Sequence, residues 1–376
     1  MAEIKITALD GPPGSGKTTK LVRECVDWLQ PWAIVTYSKD AAETLAHRGV
    51  DPANANTIYK LSWPHVKASA ALPAVRSVNR LATYRKRAVV NYGDVALQHY
   101  EDDAPSRKKR NLRAEQLHSW EPSEGDPPSW IWDSKISPGE SYAVALARWL
   151  ARDAPLADFD GYKFIAVDEA QDLSNLELAA VLALVQDGGE VLLVGDPGQA
   201  IYLGTKGWPS DKKLPPAWEL AESFETLEQG FRIGYPAADA AAGILHPCWP
   251  RSADTFRAEH LTYLNPWNLD PPETGLVLGM SRSSIANYIR NYDLRGVATV
   301  PGLNHRGLTV CTIHAAKGYE TDDVYLLPWS QPRLMNLDCA VPDALRLLYV
   351  ALTRGRRNIN LPVEILARAE YAKSIS

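Results

Sequence analysis

Gly11-Pro12-Pro13-Gly14-Ser15-Gly16-Lys17-Thr18 fits the pattern G-x-x-x-x-G-K-[ST] at every fixed position. The apolar run Ile4 to Leu9 precedes it and helical periodicity over Lys17 to Leu29 follows, which is the strand–loop–helix context the pattern requires. In that context the glycines let backbone N–H groups close on phosphate oxygens at a helix N-terminus. Lys17 is placed to reach the β- and γ-phosphates, and the Thr18 hydroxyl to ligate Mg²⁺. A chance glycine-rich turn has no reason to carry both flanks, so the stretch implies binding of a nucleoside triphosphate.

Moving outward, Phe164-Ile165-Ala166-Val167-Asp168-Glu169-Ala170-Gln171-Asp172 is an apolar strand that ends in carboxylates. Asp168 is placed to hold Mg²⁺ and Glu169 to orient and deprotonate a water beside the γ-phosphate, which implies hydrolysis. Ala33 to Val35 and Val191 to Val194 are further short apolar runs bounded by turn residues, and Gly275 to Met280, Leu308 to Ile313 and Val324 to Leu327 repeat the pattern later. Strands buried on both faces of a parallel sheet read this way, so the fold class expected is α/β with two sheets. We divide the chain into a first motor domain, residues 1–61 and 139–222, and a second, residues 223–376. Between the two parts of the first lies a mostly helical, basic and Trp-rich insertion, residues 62–138.

A chain of 376 residues exceeds what one ordinary core supports, and 45% hydrophobic with 23% charged residues is a globular balance. No apolar stretch is long enough for a bilayer, and Met1 to Ile6 lacks the zones of a signal peptide, so a cytoplasmic protein without a membrane partner is expected. Cys25, Cys248, Cys311 and Cys339 show neither zinc-ligand nor disulfide-framework spacing. A net charge of −5 excludes the argument that a nucleic-acid protein is basic overall. Residues 76–113 nevertheless hold ten basic against four acidic residues, including Arg107-Lys108-Lys109-Arg110; a DNA contact and a solvated helix face are both open.

The spelling then becomes specific. Asp168-Glu169-Ala170-Gln171-Asp172, Val194-Gly195-Asp196-Pro197-Gly198-Gln199-Ala200-Ile201-Tyr202, Leu227-Glu228-Gln229-Gly230-Phe231-Arg232, Thr312-Ile313-His314-Ala315-Ala316-Lys317-Gly318-Tyr319-Glu320 and Arg346-Leu347-Leu348-Tyr349-Val350-Ala351-Leu352-Thr353-Arg354 follow the P-loop in order. This series resembles the motifs of superfamily 1A helicases of the UvrD/Rep type. The resemblance implies two RecA-like lobes with ATP and Mg²⁺ between them, and a motor running 3′ to 5′ on single-stranded DNA or a 3′-tailed duplex. It implies catalytic roles for Lys17, Asp168, Glu169, Gln199, Arg232 and Arg354, and metal ligation by Thr18 and Asp168. Nucleotide contacts fall on Gly11, Gly14, Ser15, Gly16, Lys17, Thr18, Thr19, Phe231, Arg232, Gly318, Glu320 and Arg354. DNA contacts fall on Tyr37, Thr57, Tyr59, Trp208 and His314.

Four departures qualify the match. No glutamine motif precedes the P-loop between Met1 and Ile4, so a relaxed choice of base is expected. Gly204 replaces the aromatic expected after Ile201-Tyr202, with Trp208 as its substitute. Tyr59 stands where the family has histidine, and the short span after Arg232 leaves little room for the family's large second-lobe insertion. A translocase without strong unwinding, serving a replication, repair or recombination complex with protein partners, is the alternative to a helicase. A DNA-binding scaffold with a degenerate ATPase is disfavoured by intact Lys17, Asp168, Glu169, Gln199 and Arg354.

Overall fold

Six parallel strands organise the N-terminal part of the chain: Lys5–Asp10 (β1), Trp32–Thr36 (β2), Ala55–Thr57 (β3), Tyr162–Asp168 (β4), Val185–Gly195 (β5) and Ser223–Thr226 (β6). Their order across the sheet is β3-β2-β4-β5-β1-β6. The computed structural model describes residues 3–25, 28, 31–36, 39–68, 116–117, 119–120, 125–128, 131, 141–151, 159–202, 215–246, 257–299, 307–329 and 342–373. Helices cover both faces, which is why β2 reads as an unbroken buried run. On one face Leu9, Ile34 and Val194 meet Leu21 and Leu45 from the helices Lys17–Cys25 and Lys39–His47. On the other, Ala8, Val35, Ile165 and Val167 meet the helices Ile58–Ala68, Ser141–Leu150 and Asn175–Leu182. Trp149 and Trp218 are buried in this second layer. Removing side chains of that size from water contributes more than the roughly 1.5–3 kcal/mol typical of a buried aliphatic, before entropy is counted.

A second parallel sheet contains Ile233–Pro236 (β7), Arg257–Pro266 (β8), Gly275–Gly279 (β9), Leu308–Thr312 (β10), Thr321–Leu326 (β11) and Gly355–Leu361 (β12), in the order β10-β9-β11-β12-β8-β7. The fold is thus α/β with two RecA-like parallel sheets. One face is covered by the helices Ala237–Leu245, Pro342–Leu352 and Val363–Lys373. The helix Arg282–Asn291, started by a Ser281–Ser284 capping box, covers part of the other with Trp267 and Tyr288.

Several expectations need adjustment. Ser223–Thr226, assigned from sequence to the second domain, pairs with β1, so the first sheet continues past residue 222 and the chain crosses between Thr226 and Ile233. The expected insertion lies mostly outside the described residues, as does Arg107 to Arg110. Residues 62–68 continue the helix Ile58–Ala68, and Leu117 and Ile131 are buried in the first core. Cys25 and Cys311 are buried free thiols; Cys248 and Cys339 lie outside the described residues. Among the described residues no helix is long and apolar enough to cross a membrane.

The helix Ala237–Leu245 is small-residue rich because it is pressed from several sides. A methyl group on Gly243 would sit 1.9 Å from the Ala372 carbonyl oxygen. Gly243→Ala therefore forces the helix Val363–Lys373 away, and we expect a loss of about 1–3 kcal/mol in denaturant unfolding despite the better helix propensity of alanine.

Candidate functional site, a nucleotide cleft between two sheets

β1 ends at Asp10 in register with Gly195 of β5, and Asp168 ends β4 beside Val194. The P-loop, the Asp168-Glu169 pair and Asp196 therefore all leave the carboxyl ends of neighbouring strands, where α/β sheets place their ligand crevices. Gly14 (φ +74°) and Gly16 (φ +85°) adopt left-handed backbone that turns the loop into the helix Lys17–Cys25. The cradle is tight: a methyl group on Gly14 would lie 2.5 Å from Arg232 Cβ, and one on Gly11 would lie 2.5 Å from Ser15 Oγ. Among the described residues the buried Ser15 hydroxyl has no hydrogen-bond partner. Lys17 Nζ donates to the carbonyls of Gly11 (2.5 Å) and Pro12 (2.9 Å), which keeps its charge over the loop. Thr19 is exposed in the first helical turn. A glycine-lined loop, an orphaned buried hydroxyl and a lysine over them fit a polyphosphate.

Thr18 Oγ1 lies 3.3 Å from Asp168 Oδ2, so the two expected metal ligands converge. Burial, then the neighbouring Glu169 charge, push the Asp168 carboxyl up to about 6, against the pull of Lys17 and Thr18. A buried carboxylate raised in this way is a site that a divalent cation suits, and Thr18 and Asp168 are the residues that would hold Mg²⁺. Glu169 has φ +58°, a left-handed conformation rare for a residue with a side chain, at the turn between β4 and the short helix Ala170–Asp172. Burial acts to raise Glu169, but Lys317, Lys17, the Gln171 amide and Arg354 outweigh it and hold the group below the usual carboxylate range.

The crossing segment runs along the P-loop. Leu227 N donates to Asp10 O (2.8 Å) and Phe231 N to Gly14 O (3.1 Å), leaving the Phe231 ring 63% exposed beside the cradle. Arg232 Nε lies 2.6 Å from Glu320 Oε2, and the other Glu320 oxygen accepts from Arg356. Gly318, at φ +86°, makes the turn that brings Glu320 there. Arg354 is buried, and its hydrogen bonds go to neutral oxygens: Val350 O, Tyr319 O, Thr353 Oγ1 and, across the cleft, Gln199 Oε1 at 2.9 Å. Burial, then the positive charge of Arg232, lower the Arg354 guanidinium to about 9. Gln199 Nε2 in turn donates to Asp196 Oδ2 (3.1 Å), which also accepts from Tyr349 of the second lobe (3.0 Å). Arg232 of the crossing segment and Arg354 of the second lobe thus bring to the cradle charge that an anion would match.

The residues expected to meet DNA are placed differently. Tyr37 and Trp208 lie outside the described residues. Thr57 accepts from Lys60 N at 3.4 Å at the start of its helix. Tyr59 donates its hydroxyl to Glu177 Oε1 (2.9 Å), completing a capping box between Ser174 and Glu177. His314 links the lobes, its ring nitrogen 3.2 Å from Ile201 O and its carbonyl accepting from the Tyr202 hydroxyl at 2.7 Å. Burial lowers the His314 imidazole, consistent with a neutral ring. Three residues not singled out from sequence join the site: Gln171 bridges Glu169 (2.5 Å) to Asp196 N (3.2 Å), Tyr349 reaches Asp196, and Lys317 reaches Asp172 at 2.5 Å. All three lie inside quoted motifs; the partners of Lys317 and Tyr349 are brought near by the packed lobes, and those of Gln171 by the neighbouring strand ends β4 and β5.

Because the folded pKa of Asp168 is raised, its ionisation disfavours the fold above about pH 6, and that cost disappears as pH falls from about 6 towards the usual carboxylate value. Without divalent cation, Asp168→Asn is therefore expected to gain about 1–3 kcal/mol at pH 8 and nothing near pH 4, measured by chemical unfolding at both pH values. A loss of stability at pH 8 would contradict the electrostatic account.

Comparison with known proteins adds three findings. A family model described as an AAA domain matches residues 1–205. The ATP-dependent DNA helicase srs2 of Schizosaccharomyces pombe (strain 972 / ATCC 24843) is 28% identical over 109 residues, which is 28% of this chain and 12% of that protein. Arterivirus nonstructural protein 10 (helicase) aligns with 97% of this chain and 61% of its own at 19% identity and a TM-score of 0.46. Its complex with DNA aligns with 98% and 63% at 17% identity and a TM-score of 0.45. The chain spans 12% of the length of the curated relative and less than two thirds of either viral chain. With residues 1–205 of 376 matched by the family model, the chain belongs to the AAA domain family.

Proposed function

We propose that this chain is an ATP-hydrolysing motor on single-stranded DNA, a superfamily 1 helicase of the UvrD/Rep type moving 3′ to 5′. The observation that carries the reading is the cleft itself. Lys17, Thr18, Asp168 and Glu169 belong to the first lobe, Arg232 ends the crossing segment against the P-loop and pairs with Glu320 of the second lobe, and Arg354 of the second lobe touches Gln199. A site split in this way couples a change at the γ-phosphate to the relative position of two lobes. The similarity of 109 residues to a DNA helicase supports DNA as the track.

In this mechanism Lys17 and the loop amides hold the phosphates, and Glu169 accepts a proton from the attacking water. Mg²⁺, held by Thr18 and Asp168, neutralises charge on the phosphates when bound. Arg232 and Arg354 stabilise the charge that spreads over the equatorial oxygens. Phe231 offers an exposed ring to the base, a contact that accepts any base face. A single strand crosses both lobes, with Thr57, Tyr59, His314, Tyr37 and Trp208 as candidate contacts. A translocase that does not separate strands uses the same cleft, and a forked-duplex displacement assay distinguishes it.

Glu169→Gln and Lys17→Ala are expected to abolish turnover and to fail differently. The first keeps ATP affinity and loses hydrolysis, while the second weakens ATP binding as well. Arg232→Ala and Arg354→Ala are each expected to lower single-turnover hydrolysis by about 10³-fold, with lysine rescuing poorly because it lacks the planar fork. Wild-type hydrolysis in both alanine variants would refute the split site. The deciding experiment for the whole reading is ATP hydrolysis with and without a single-stranded oligonucleotide, beside translocation on strands labelled at either end.

A further inference from the structure

Lys317 occupies a position that its motif does not explain by sequence alone. Its Nζ donates to Asp172 Oδ2 at 2.5 Å and to Gln199 O at 2.8 Å, stands 3.4 Å from Glu169 Oε2, and lies 5.4 Å from the centre of the Tyr202 ring. All four partners belong to the first lobe, whereas Lys317 belongs to the turn that follows β10 of the second. The side chain is 7% exposed and that of Asp172 1%, so the pair is desolvated and its contacts are little screened. Gln171 Nε2 donates to the same Glu169 oxygen at 2.5 Å. Glu169 also sits in a left-handed backbone conformation that gives its side chain a narrow choice of direction.

The turn carrying Lys317 is itself anchored. His314 accepts from the Tyr202 hydroxyl and touches Ile201 O, and Gly318 closes the turn at φ +86°. Lys317 and His314 are thus three residues apart on one rigid turn, one against the first-lobe segment Ile201–Tyr202 and the other against the carboxylate assigned as general base. A lysine whose task was only to pair with Asp172 would have no need to approach Glu169.

We propose that Lys317 is a positioning residue that restrains Glu169, releasing it when a single DNA strand bound across the lobes shifts the turn His314–Gly318. The inference rests on the functional reading given above and deepens it, by locating where strand binding reaches the chemistry. In the restrained arrangement one oxygen of Glu169 is held by an ammonium and an amide. Released, the carboxylate accepts the proton of the water whose oxygen bonds to the γ-phosphorus, while the bond from that phosphorus to the bridging oxygen breaks and its electron pair leaves with the diphosphate.

The test uses the full chain with Mg²⁺ and ATP, measuring single-turnover hydrolysis and ATP affinity with and without a mixed-sequence single-stranded oligodeoxynucleotide. Lys317→Met is expected to raise the strand-free rate by about tenfold or more, a fraction of the roughly 10²- to 10⁴-fold that a well-placed base supplies. The strand-stimulated rate and ATP affinity should stay near wild type, so the stimulation ratio collapses towards one. Lys317→Arg, which keeps the charge, should retain a low strand-free rate. Because Lys317→Met leaves Asp172 buried beside an apolar chain, the double variant Lys317→Met/Asp172→Asn removes both charges together and gives the same readout if the single variant does not fold. Equal loss of strand-free and stimulated rates would overturn the proposal in favour of a lysine acting on the transition state, and no change in either would reduce it to a structural pair. A wild-type chain that hydrolyses ATP without stimulation by the strand overturns the release step alone. A wild-type chain with no hydrolysis overturns the underlying reading and this proposal with it.

Discussion

The hydrogen bond between buried Arg354 and Gln199 is the constraint on which the rest of the site depends. A guanidinium is costly to bury unless its donors are met, and among the described residues every hydrogen bond of Arg354 but one stays within its own lobe. The remaining contact crosses to Gln199, which is oriented by Asp196, which is held in turn by Tyr349. Misplacing any member leaves a buried polar group without its partner, so the network admits few relative positions of the two sheets. Gly198 shows how close the approach is, since a methyl group there would lie 2.5 Å from Leu245 and 3.1 Å from Tyr349.

Much of this was legible in the sequence where one residue type has one physical use. The P-loop glycines, the apolar strand ending at Asp168-Glu169 and the buried runs of β1, β2 and β4 were read directly, because unbroken apolar strands and left-handed glycines leave few alternatives. β8 and β12 were not. In Arg257–Pro266 the buried residues are Ala258 and Thr262 while Leu261 and Tyr263 are exposed, and in Gly355–Leu361 polar and apolar residues alternate only from Asn358 onward. A search for continuous apolar runs passes over them, although the alternation of Ile359 and Leu361 with Asn358 and Asn360 is the period of a half-buried strand. The edge strand β6, not read as a strand from sequence, lies beyond the boundary drawn after residue 222 for a related reason. Its four residues are all exposed, so no hydrophobic pattern ties it to β1.

The site divides in the same way. Residues whose chemistry is local, such as Thr18 beside Asp168, follow from motif spacing and strand register. Residues whose role is relational could not be ranked from sequence. Lys317 and Tyr349 differ from their neighbours in what the opposite lobe presents to them, and Gln171 in what the end of β5 presents to it. Tyr59 illustrates the reverse case: its hydroxyl is engaged by Glu177, a partner supplied by a helix cap more than a hundred residues away in the chain.

The segment from Leu227 to Arg232 carries a mechanical implication. It is the connection between the sheets, and it is hydrogen-bonded along the P-loop at Asp10 and Gly14. The pivot for any rotation of the second sheet therefore coincides with the nucleotide's own seat, so the lever arm at the phosphates is short. A displacement too small to break the loop's contacts sweeps the parts of the second sheet farther from it through a larger arc, as a gear would.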